Sequence, residues 1–465
     1  MYQSITFWDF IFIPFYFIIV IFIAHKIKQS ISPSLPEKKY FLNGLIYKII
    51  GGIGICLVYV YYYKDGGDTI WYFISSNTLQ SMLMKSPSTY FSILLGNLDL
   101  DNLLKYEADM RSVYYYNDFN SFSVVRFTSL ISPFGLFLYI PITIILASIS
   151  YIGIWKLFRL FCQEFPAIHK NMAFAILFIP SVAFWGSGIL KDTYTLSATC
   201  WMVYSFYKVF IYKKKIVANI IAIIVMSYIL ISIRPFMLYI SLISLILMLT
   251  HYYLTTIKSA FIRFISLILI LIVFWGGGIF TLVTLGEKAG GSFSTIDGML
   301  EKASVTQQDL SKSYYGENSF NIGTFEPTIK GILGKAPLAI NAGLYFPYLW
   351  KANNPVMFIA GLENLMLLLL TLYVLLLIIV AIFKIGPRYM LKTLFDHPLV
   401  IFSLSYAIPF AFMVGLTTAN YGALVRYKIP LIPFYLTSLF IIIHKFNRID
   451  FDKSDKSNSN KIITE

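Results

Sequence analysis

Two acidic residues flank a pair of glycines in the segment KDGGDT, residues 64–69. The carboxylates of Asp65 and Asp68 stand three residues apart, so they can converge on one divalent metal ion, or one can act as a general base while the other orients it. The glycines between them permit a tight turn of the backbone. We therefore predict Asp65 and Asp68 as catalytic residues and as candidate ligands of a metal. The alternatives are that Asp68 caps the helix that follows, or that both side chains are solvated.

Cationic side chains suited to phosphate occur at two breaks in the apolar sequence. Lys191 and Asp192 form a tight hairpin between two apolar stretches, and Arg234 with Pro235 interrupts the apolar residues 217–249. Proline breaks a helix, and a guanidinium group suits bidentate contact with phosphate. We predict that Lys191 and Arg234 bind a lipid-linked phosphate that Asp192 helps to orient. The alternatives are that both cations reach lipid headgroups and that Asp192 caps a helix.

Glu363 and Arg126 are two further site candidates. Glu363 lies about two helical turns inside an apolar stretch, where a carboxylate is a functional candidate by default. Its alternative is a structural ion pair with Lys351 or Arg234. Arg126 follows the acidic segment by some sixty residues and belongs to the same polar region of the predicted topology.

Arg426 and Lys428 precede the last apolar stretch and would face phosphate groups, although simple anchoring at the membrane interface is a strong alternative. Carboxylates and cations together suit a reaction with an anionic leaving group and a base for an attacking hydroxyl. An ion pore would instead favour a ring of charges of one sign.

The elements that position these residues are apolar stretches of about 20 residues, each long enough to cross a membrane. Of the 465 residues, 58% are hydrophobic and only 13% are charged, and the mean hydropathy is +0.72. A soluble protein has about 25% charged residues. We therefore predict an all-α, polytopic transmembrane helix bundle. Its approximate spans, about eleven in number, are residues 5–24, 42–63, 132–157, 171–190, 193–212, 217–233, 236–252, 261–286, 355–384, 398–416 and 429–445.

The distribution of charge predicts the orientation of the bundle. Short basic loops belong in the cytoplasm, and this assignment alternates along the chain without conflict. It places the N-terminus outside, the C-terminus in the cytoplasm, and all the candidate site residues at the outer face. The net charge of +14 then reflects cytoplasmic lysine and arginine, so we expect no nucleic-acid partner.

Two predicted outer segments are too long to be simple connections: residues 64–131 and residues 287–354. Both mix apolar and polar residues, and we expect them to form interfacial helices and binding loops. For the second segment a disordered connector is the alternative. We treat residues 1–449 as one membrane domain and residues 450–465, rich in Asp, Lys, Ser and Asn, as a disordered cytoplasmic tail.

Several of these features resemble the GT-C class of membrane glycosyltransferases. The acidic residues after an early span, the hairpin PSVAFWGSGILKDT at residues 180–193 and the motif RYKIPLIPF at residues 426–434 carry the resemblance. The chain departs from that pattern because its acidic loop follows the second span rather than the first. The late outer loop, with Arg234 and Arg426, is also similar to bacterial O-antigen and exopolysaccharide polymerases.

The resemblance implies glycosyl transfer from a polyprenyl-phosphate-linked sugar at the outer face of a bacterial cytoplasmic membrane, by a polymerase or a single-sugar transferase in surface polysaccharide assembly. The expected partners are polyprenyl-phosphate-linked sugars, membrane lipids and other polysaccharide-assembly proteins. No cofactor is required in this interpretation, and a divalent metal ion is optional. The alternative function is transport, as a transporter or a flippase of lipid-linked sugars.

Overall fold

The structure is a computed structural model that describes residues 4–64, 66–99, 101–102, 115–256, 305, 319–320, 322–323, 326, 328–352 and 355–462. Helices form the regular structure of this part of the chain, apart from one isolated antiparallel bridge between Ser319 and Asn420. The α-helices are α1 Phe7–Gln29, α2 Tyr40–Leu57, α3 Asp68–Lys85, α4 Pro87–Leu94, α5 Phe119–Ser129, α6 Tyr139–Glu164, α7 His169–Leu177, α8 Pro180–Trp185, α9 Lys191–Phe210, α10 Ile216–Ile233, α11 Pro235–Thr256, α12 Ile329–Gly334, α13 Ala336–Tyr345, α14 Pro355–Ile385, α15 Pro387–Leu394, α16 Pro398–Thr417, α17 Tyr421–Tyr427 and α18 Ile432–Ile462.

The chain divides into two compact units. Unit 1 comprises Met1–Glu164, Ile176–Tyr239 and Leu282–Thr295, and unit 2 comprises Phe165–Ala175, Ile240–Thr281 and Ile296–Glu465. Each unit therefore takes its residues from separate stretches of the sequence.

Seven helical stretches among the described residues are long and apolar enough to cross a membrane. They are Phe7–Gln29, Pro36–Tyr62, Tyr139–Glu164, Ile216–Ile233, Pro235–Thr255, Met357–Ile385 and Pro398–Thr417. The pair Tyr421–Tyr427 and Ile432–Arg448 is bent by 66° and makes an eighth span if the two helices are counted together. The chain is thus a multi-pass membrane protein, as its composition predicts.

Three of the eleven predicted spans have no counterpart among these helical stretches. Residues 261–286 lie outside the described residues. Residues 171–190 form the short helices α7 and α8 with a break between them, because Pro180 cannot donate the hydrogen bond that would continue the first helix. Residues 193–212 lie within and just after α9, whose many Thr, Ser and Tyr side chains keep it out of the apolar set.

Side-chain contacts within unit 1 mark the two ends of α6. At one end, Asp9 near the start of α1 accepts a hydrogen bond at 2.9 Å from the backbone N–H of Ile140 at the start of α6. At the other end of α6, Arg159 pairs with Glu37 at 3.6 Å. Thr69, the residue after Asp68, shares a hydrogen bond of 3.0 Å with Tyr139 at the start of α6. Asp68 and the pair of Arg159 with Glu37 therefore lie towards opposite ends of this helix.

Among its described residues, the segment 64–131 contains the helices α3, α4 and α5. Most side chains of α5 are buried, including Phe122, Val124 and Val125, and this helix packs against α3 and α10. The segment is therefore an integral part of the packing of unit 1.

In unit 2, α13 and α16 approach so closely that glycine is required at the contact. A Cβ atom on Gly343 would overlap the carbonyl oxygen of Ala411, and one on Gly415 would overlap that of Ala339. Both helices thus carry a pair of small residues four positions apart, the spacing that brings transmembrane helices together.

At the end of the chain, helical backbone continues to Ile462, through most of the tail that the sequence predicts to be disordered.

Candidate functional site

Asp68 is the first residue of α3 and accepts a hydrogen bond from a tyrosine. The helix is preceded by Gly67, whose φ of +100° suits glycine, and a Cβ atom there would lie 2.7 Å from the ring of Tyr59. The hydroxyl group of Tyr115 donates a hydrogen bond of 2.9 Å to Oδ1 of Asp68. Asp68 is therefore not the N-cap residue of α3, and its carboxylate is held from a distant part of the sequence.

The turn at residues 115–118 connects this carboxylate to a second one. Asp118 is the N-cap of α5, and its side chain accepts hydrogen bonds from the backbone N–H groups of Asn120 at 3.1 Å and Ser121 at 3.2 Å. Its Oδ2 lies 3.9 Å from the ammonium group of Lys191. Burial alone would raise the pKa of Asp118, but Lys191 and the hydrogen bonds outweigh it and hold this pKa below its usual value.

Asp192 and Arg234 form a buried ion pair. Oδ1 of Asp192 lies 2.7 Å from Nη1 of Arg234, and the two side chains are 0% and 9% exposed. Asp192 sits in the first turn of α9, while Arg234 is the residue between α10 and α11, where Pro235 forces the break. The ion pair therefore joins the start of α9 to the break between α10 and α11.

These contacts form three pairs: Asp68 with Tyr115, Asp118 with Lys191, and Asp192 with Arg234. The turn at residues 115–118 joins the first pair to the second, and the adjacent residues Lys191 and Asp192 join the second to the third. The connected residues lie at the starts of four helices, α3, α5, α9 and α11. Helix starts carry partial positive charge and free N–H groups, which favour anions. The connected groups combine carboxylates, which can accept a proton, with cations, which can stabilise an anionic leaving group. We call this set the polar cluster.

Arg126 lies in α5, two turns after Asp118, and its side chain is completely buried. It donates hydrogen bonds to the carbonyl oxygen of Leu94 at 2.9 Å, to Oγ of Ser123 at 3.2 Å and to the hydroxyl of Tyr228 at 2.8 Å. Burial lowers the pKa of Arg126, against the influence of Tyr228. These bonds hold α5, whose N-cap is Asp118, against α4 and α10.

Lys48 is a buried cation that the sequence analysis did not select. It lies within the second span, is 3% exposed, and donates to the carbonyl oxygen of Gly186 and, at 3.4 Å, to Oγ of Ser187. A lysine inside an apolar span is itself a signal of function or of a buried partner. This contact holds the loop before Lys191 against α2.

Three further candidates, Glu363, Arg426 and Lys428, belong to unit 2. Lys428 lies at the bend between α17 and α18 and is 1% exposed. Its ammonium group donates to the carbonyl oxygens of Leu344 at 3.1 Å and Phe346 at 2.9 Å and to the side-chain oxygen of Asn364. Glu363, also buried, interacts electrostatically with Lys428.

Arg426 is 8% exposed, and its guanidinium group lies 5.7 Å from the centre of the Tyr427 ring. The guanidinium is therefore shielded by the neighbouring aromatic ring, and the role of Arg426 as a phosphate ligand stays a prediction.

Asp65, the other predicted catalytic residue and metal ligand, lies outside the described residues. Among the residues that the structure does describe, no three His, Cys, Asp or Glu side chains are grouped to hold a metal ion, so the metal also stays a prediction.

Tyr115 and Asp118 are the members of the polar cluster that sequence reasoning missed. Asp118 precedes a helix at residue 119, which is the signal of an N-cap, and this signal alone could have selected it. No local signal marks Tyr115, because its partner Asp68 is 47 positions away.

Comparisons of the chain with protein-family models, with curated proteins and with solved structures gave no significant match. The fold thus defines a class, the polytopic helical membrane proteins, and the polar cluster carries the argument on function.

Proposed function

We propose that this protein transfers a glycosyl group from a polyprenyl-phosphate-linked sugar to an acceptor sugar at the outer face of a bacterial cytoplasmic membrane. The observation that carries the proposal is the polar cluster, in which a carboxylate at the start of α3 is connected to cations at the starts of α9 and α11. This combination supports a reaction that deprotonates a hydroxyl group and releases a phosphate. The assignment of this end of unit 1 to the outer face rests on the basic loops at the opposite end.

In the proposed reaction Asp68 accepts the proton of the acceptor hydroxyl. The hydroxyl oxygen forms a bond to the anomeric carbon of the donor sugar, and the bond from that carbon to the phosphate oxygen breaks with its electron pair. Lys191 and Arg234 stabilise the charge that develops on the leaving phosphate. Asp118 and Asp192 position these two cations through the ion pairs described above.

The sequence also predicts Arg426 and Lys428 as phosphate ligands. The ammonium group of Lys428 directs its hydrogen bonds at three protein oxygen atoms, so we leave Lys428 out of the proposed phosphate contact. Arg426 stays a separate prediction, and the proposed contact in unit 1 consists of Lys191 and Arg234. No cofactor is part of the proposal. A divalent metal at Asp65 and Asp68 is the alternative, and loss of transfer after dialysis against EDTA, restored by Mg²⁺ or Mn²⁺, would establish it.

Replacement of Asp68 by Asn tests the proposal directly. The amide keeps the shape of the side chain but cannot accept the proton, and general-base catalysis contributes roughly 10²–10⁴-fold to a rate. We expect glycan extension to fall by at least about 100-fold while the protein is inserted in the membrane at the normal level. Asp396→Asn in unit 2, where the carboxylate pairs with Lys445, is the matched control and should retain activity. Normal glycan with a normally expressed Asp68→Asn variant would refute the role of Asp68.

The glycan profile of a strain lacking the protein separates the two forms of glycosyl transfer. Loss of long chains with retention of single repeat units would indicate a polymerase. A repeat unit that lacks one sugar would indicate a single-sugar transferase. An unchanged profile of lipid-linked and surface glycans would remove both.

Transport of a lipid-linked sugar is the second candidate function, and one observation favours it. Lys48 is a buried cation inside a span, which is where transporters place the charges that bind their substrates. A transporter would translocate labelled lipid-linked sugar in reconstituted vesicles without forming a new glycosidic bond. Lys48→Met should then abolish translocation, whereas in a transferase it should mainly reduce stability.

A further inference from the structure

The end of α2 carries exposed tyrosines immediately before the loop that leads to Asp68. After Leu57 the helix widens into one π-turn, Val58–Tyr62, in which the backbone N–H of Tyr63 bonds to the carbonyl oxygen of Val58 at 3.0 Å. Such turns are rare and occur frequently at functional sites. Tyr62 is 61% exposed and Tyr63 is 45% exposed.

The exposed rings are the outer members of a continuous aromatic series. Tyr62 contacts Tyr63 with ring centres 5.1 Å apart, Tyr63 contacts Tyr59 at 5.1 Å, and Tyr59 contacts Trp185 at 6.5 Å. Tyr59 is only 6% exposed. The buried rings therefore support the exposed ones from below, which limits the side-chain entropy that Tyr63 would lose when it binds a ligand.

A strained turn joins this aromatic series to the carboxylate. Lys64 has a φ of +54°, which is unfavourable for a residue with a side chain, and the N–H of Gly66 bonds to the carbonyl oxygen of Tyr63 at 3.1 Å. Gly67 then lies against the ring of Tyr59, one residue before Asp68. Strain of this kind persists where the surrounding structure requires one conformation, and it is concentrated at binding and catalytic sites.

A second pair of aromatic rings is joined to Asp68 by a hydrogen bond. Tyr115 bonds to the carboxylate and packs on Tyr72 with ring centres 4.9 Å apart. A carboxylate with aromatic rings nearby in the chain and in the fold matches the two surfaces of a pyranose, since the hydroxyl groups can donate to the carboxylate while the C–H face covers a ring. Tyrosine suits this role because it presents a large, rigid, amphipathic surface.

We propose that Tyr62 and Tyr63 form a sugar-binding subsite that stacks against the pyranose ring of the acceptor and presents its hydroxyl to Asp68. The proposal rests on the proposed function and adds to it the side chains that recognise the acceptor. The rival explanation is that these tyrosines only anchor α2 at the membrane interface, where tyrosine is enriched. The two explanations differ in whether a soluble sugar contacts the rings.

Saturation-transfer NMR can test this subsite on the full-length protein in nanodiscs of phosphatidylethanolamine and phosphatidylglycerol. The probes are methyl pyranosides of glucose, galactose, mannose, rhamnose and N-acetylglucosamine, with open-chain sorbitol as the control ligand. We expect saturation transfer to the ring protons of at least one pyranoside and none above background to sorbitol. Absence of transfer to every pyranoside would overturn the proposal.

Variants identify the residues responsible. The double variant Tyr62→Ala and Tyr63→Ala should reduce the transfer at least about 5-fold, whereas the double variant with Phe at both positions should retain most of it, because the rings remain. Tyr389→Ala, which removes a 67% exposed tyrosine from α15, is the matched control. Undiminished transfer in the folded Ala variant, or equal loss in the control, would overturn the proposal.

The outcome can be separated from that of the proposed function. If Asp68→Asn abolishes glycan extension while the Ala variant binds sugars normally, the transferase stands and the stacking subsite fails. If sugar binding requires the tyrosines but Asp68→Asn leaves the glycan unchanged, the protein binds sugars there without the proposed transfer, and the acceptor role of the subsite fails with it.

Discussion

Asp192 and Arg234 lie 2.7 Å apart in a buried ion pair that joins the first turn of α9 to the break between α10 and α11. Both side chains are buried. Removal of either charge would therefore leave the other one buried without its partner. We expect Arg234→Gln or Asp192→Asn to reduce the free energy of unfolding by roughly 3–5 kcal/mol. The double variant should lose less than the sum of the two single changes.

Thermal unfolding of the purified protein in detergent measures this coupling. The double-mutant cycle gives the interaction energy of the pair, provided that the single variants remain folded. Additive effects of the two changes would show that the pair contributes nothing as a unit.

Tyr115 is expected to act as a positioning residue for Asp68. Tyr115→Phe removes a hydrogen bond to a carboxylate, which costs roughly 1.5–3 kcal/mol and corresponds to at least about a 10-fold loss of rate. Because Tyr115 orients the carboxylate without contacting the substrate, the loss should appear in kcat while KM changes little.

The neighbouring Tyr116 provides the control for this measurement. Its hydroxyl donates to the backbone oxygen of Asp99 at 3.3 Å, so Tyr116→Phe removes a hydrogen bond in the same turn without touching Asp68. Equal loss of kcat in both variants would show that Tyr115 has only a structural role.

Asp118 should make the stability of unit 1 depend on pH in the acidic range. Its pKa is lowered in the folded protein by Lys191 and by hydrogen bonds, which together outweigh the opposing effect of burial. The stabilisation is therefore complete above the ordinary aspartate pKa of about 3.9 and is lost as the pH falls through the lowered value. Asp118→Asn should lower the melting temperature at pH 7 and flatten its decline below about pH 5. An unchanged slope in melting temperatures measured from pH 3 to 7 would contradict the assignment.

The contact between α13 and α16 should not tolerate a larger residue at Gly343 or Gly415. An added methyl group would overlap a backbone carbonyl oxygen of the facing helix, which cannot move without displacing that helix. We expect Gly343→Ala to destabilise the protein by about 1–3 kcal/mol, as overpacking of a tight contact does. Gly334→Ala is the control, because a Cβ atom there meets nothing within 4 Å and alanine favours a helix. Thermal unfolding of both variants checks the contrast, and equal melting temperatures would argue against the close contact.

Much of the fold could be predicted because its signals are local. A run of apolar residues predicts a span from its own composition, and the break at Pro235 and the helix start at Asp68 occur where the sequence places them. The polar cluster was predictable in part. Lys191 and Arg234 could be selected one at a time from their position between apolar stretches, but their carboxylate partners could not be assigned.

By itself, then, the sequence determined the class of protein, the approximate positions of most described spans and the individual charged residues that are costly to bury. The tertiary structure decided which charges meet. Asp192 pairs with Arg234 rather than capping α9, Lys428 directs its ammonium group at protein oxygen atoms, and Tyr115 reaches Asp68 across 47 positions of the chain. The physical reason is that hydropathy depends on neighbours in sequence, whereas an ion pair or hydrogen bond within about 4 Å depends on how distant helices pack.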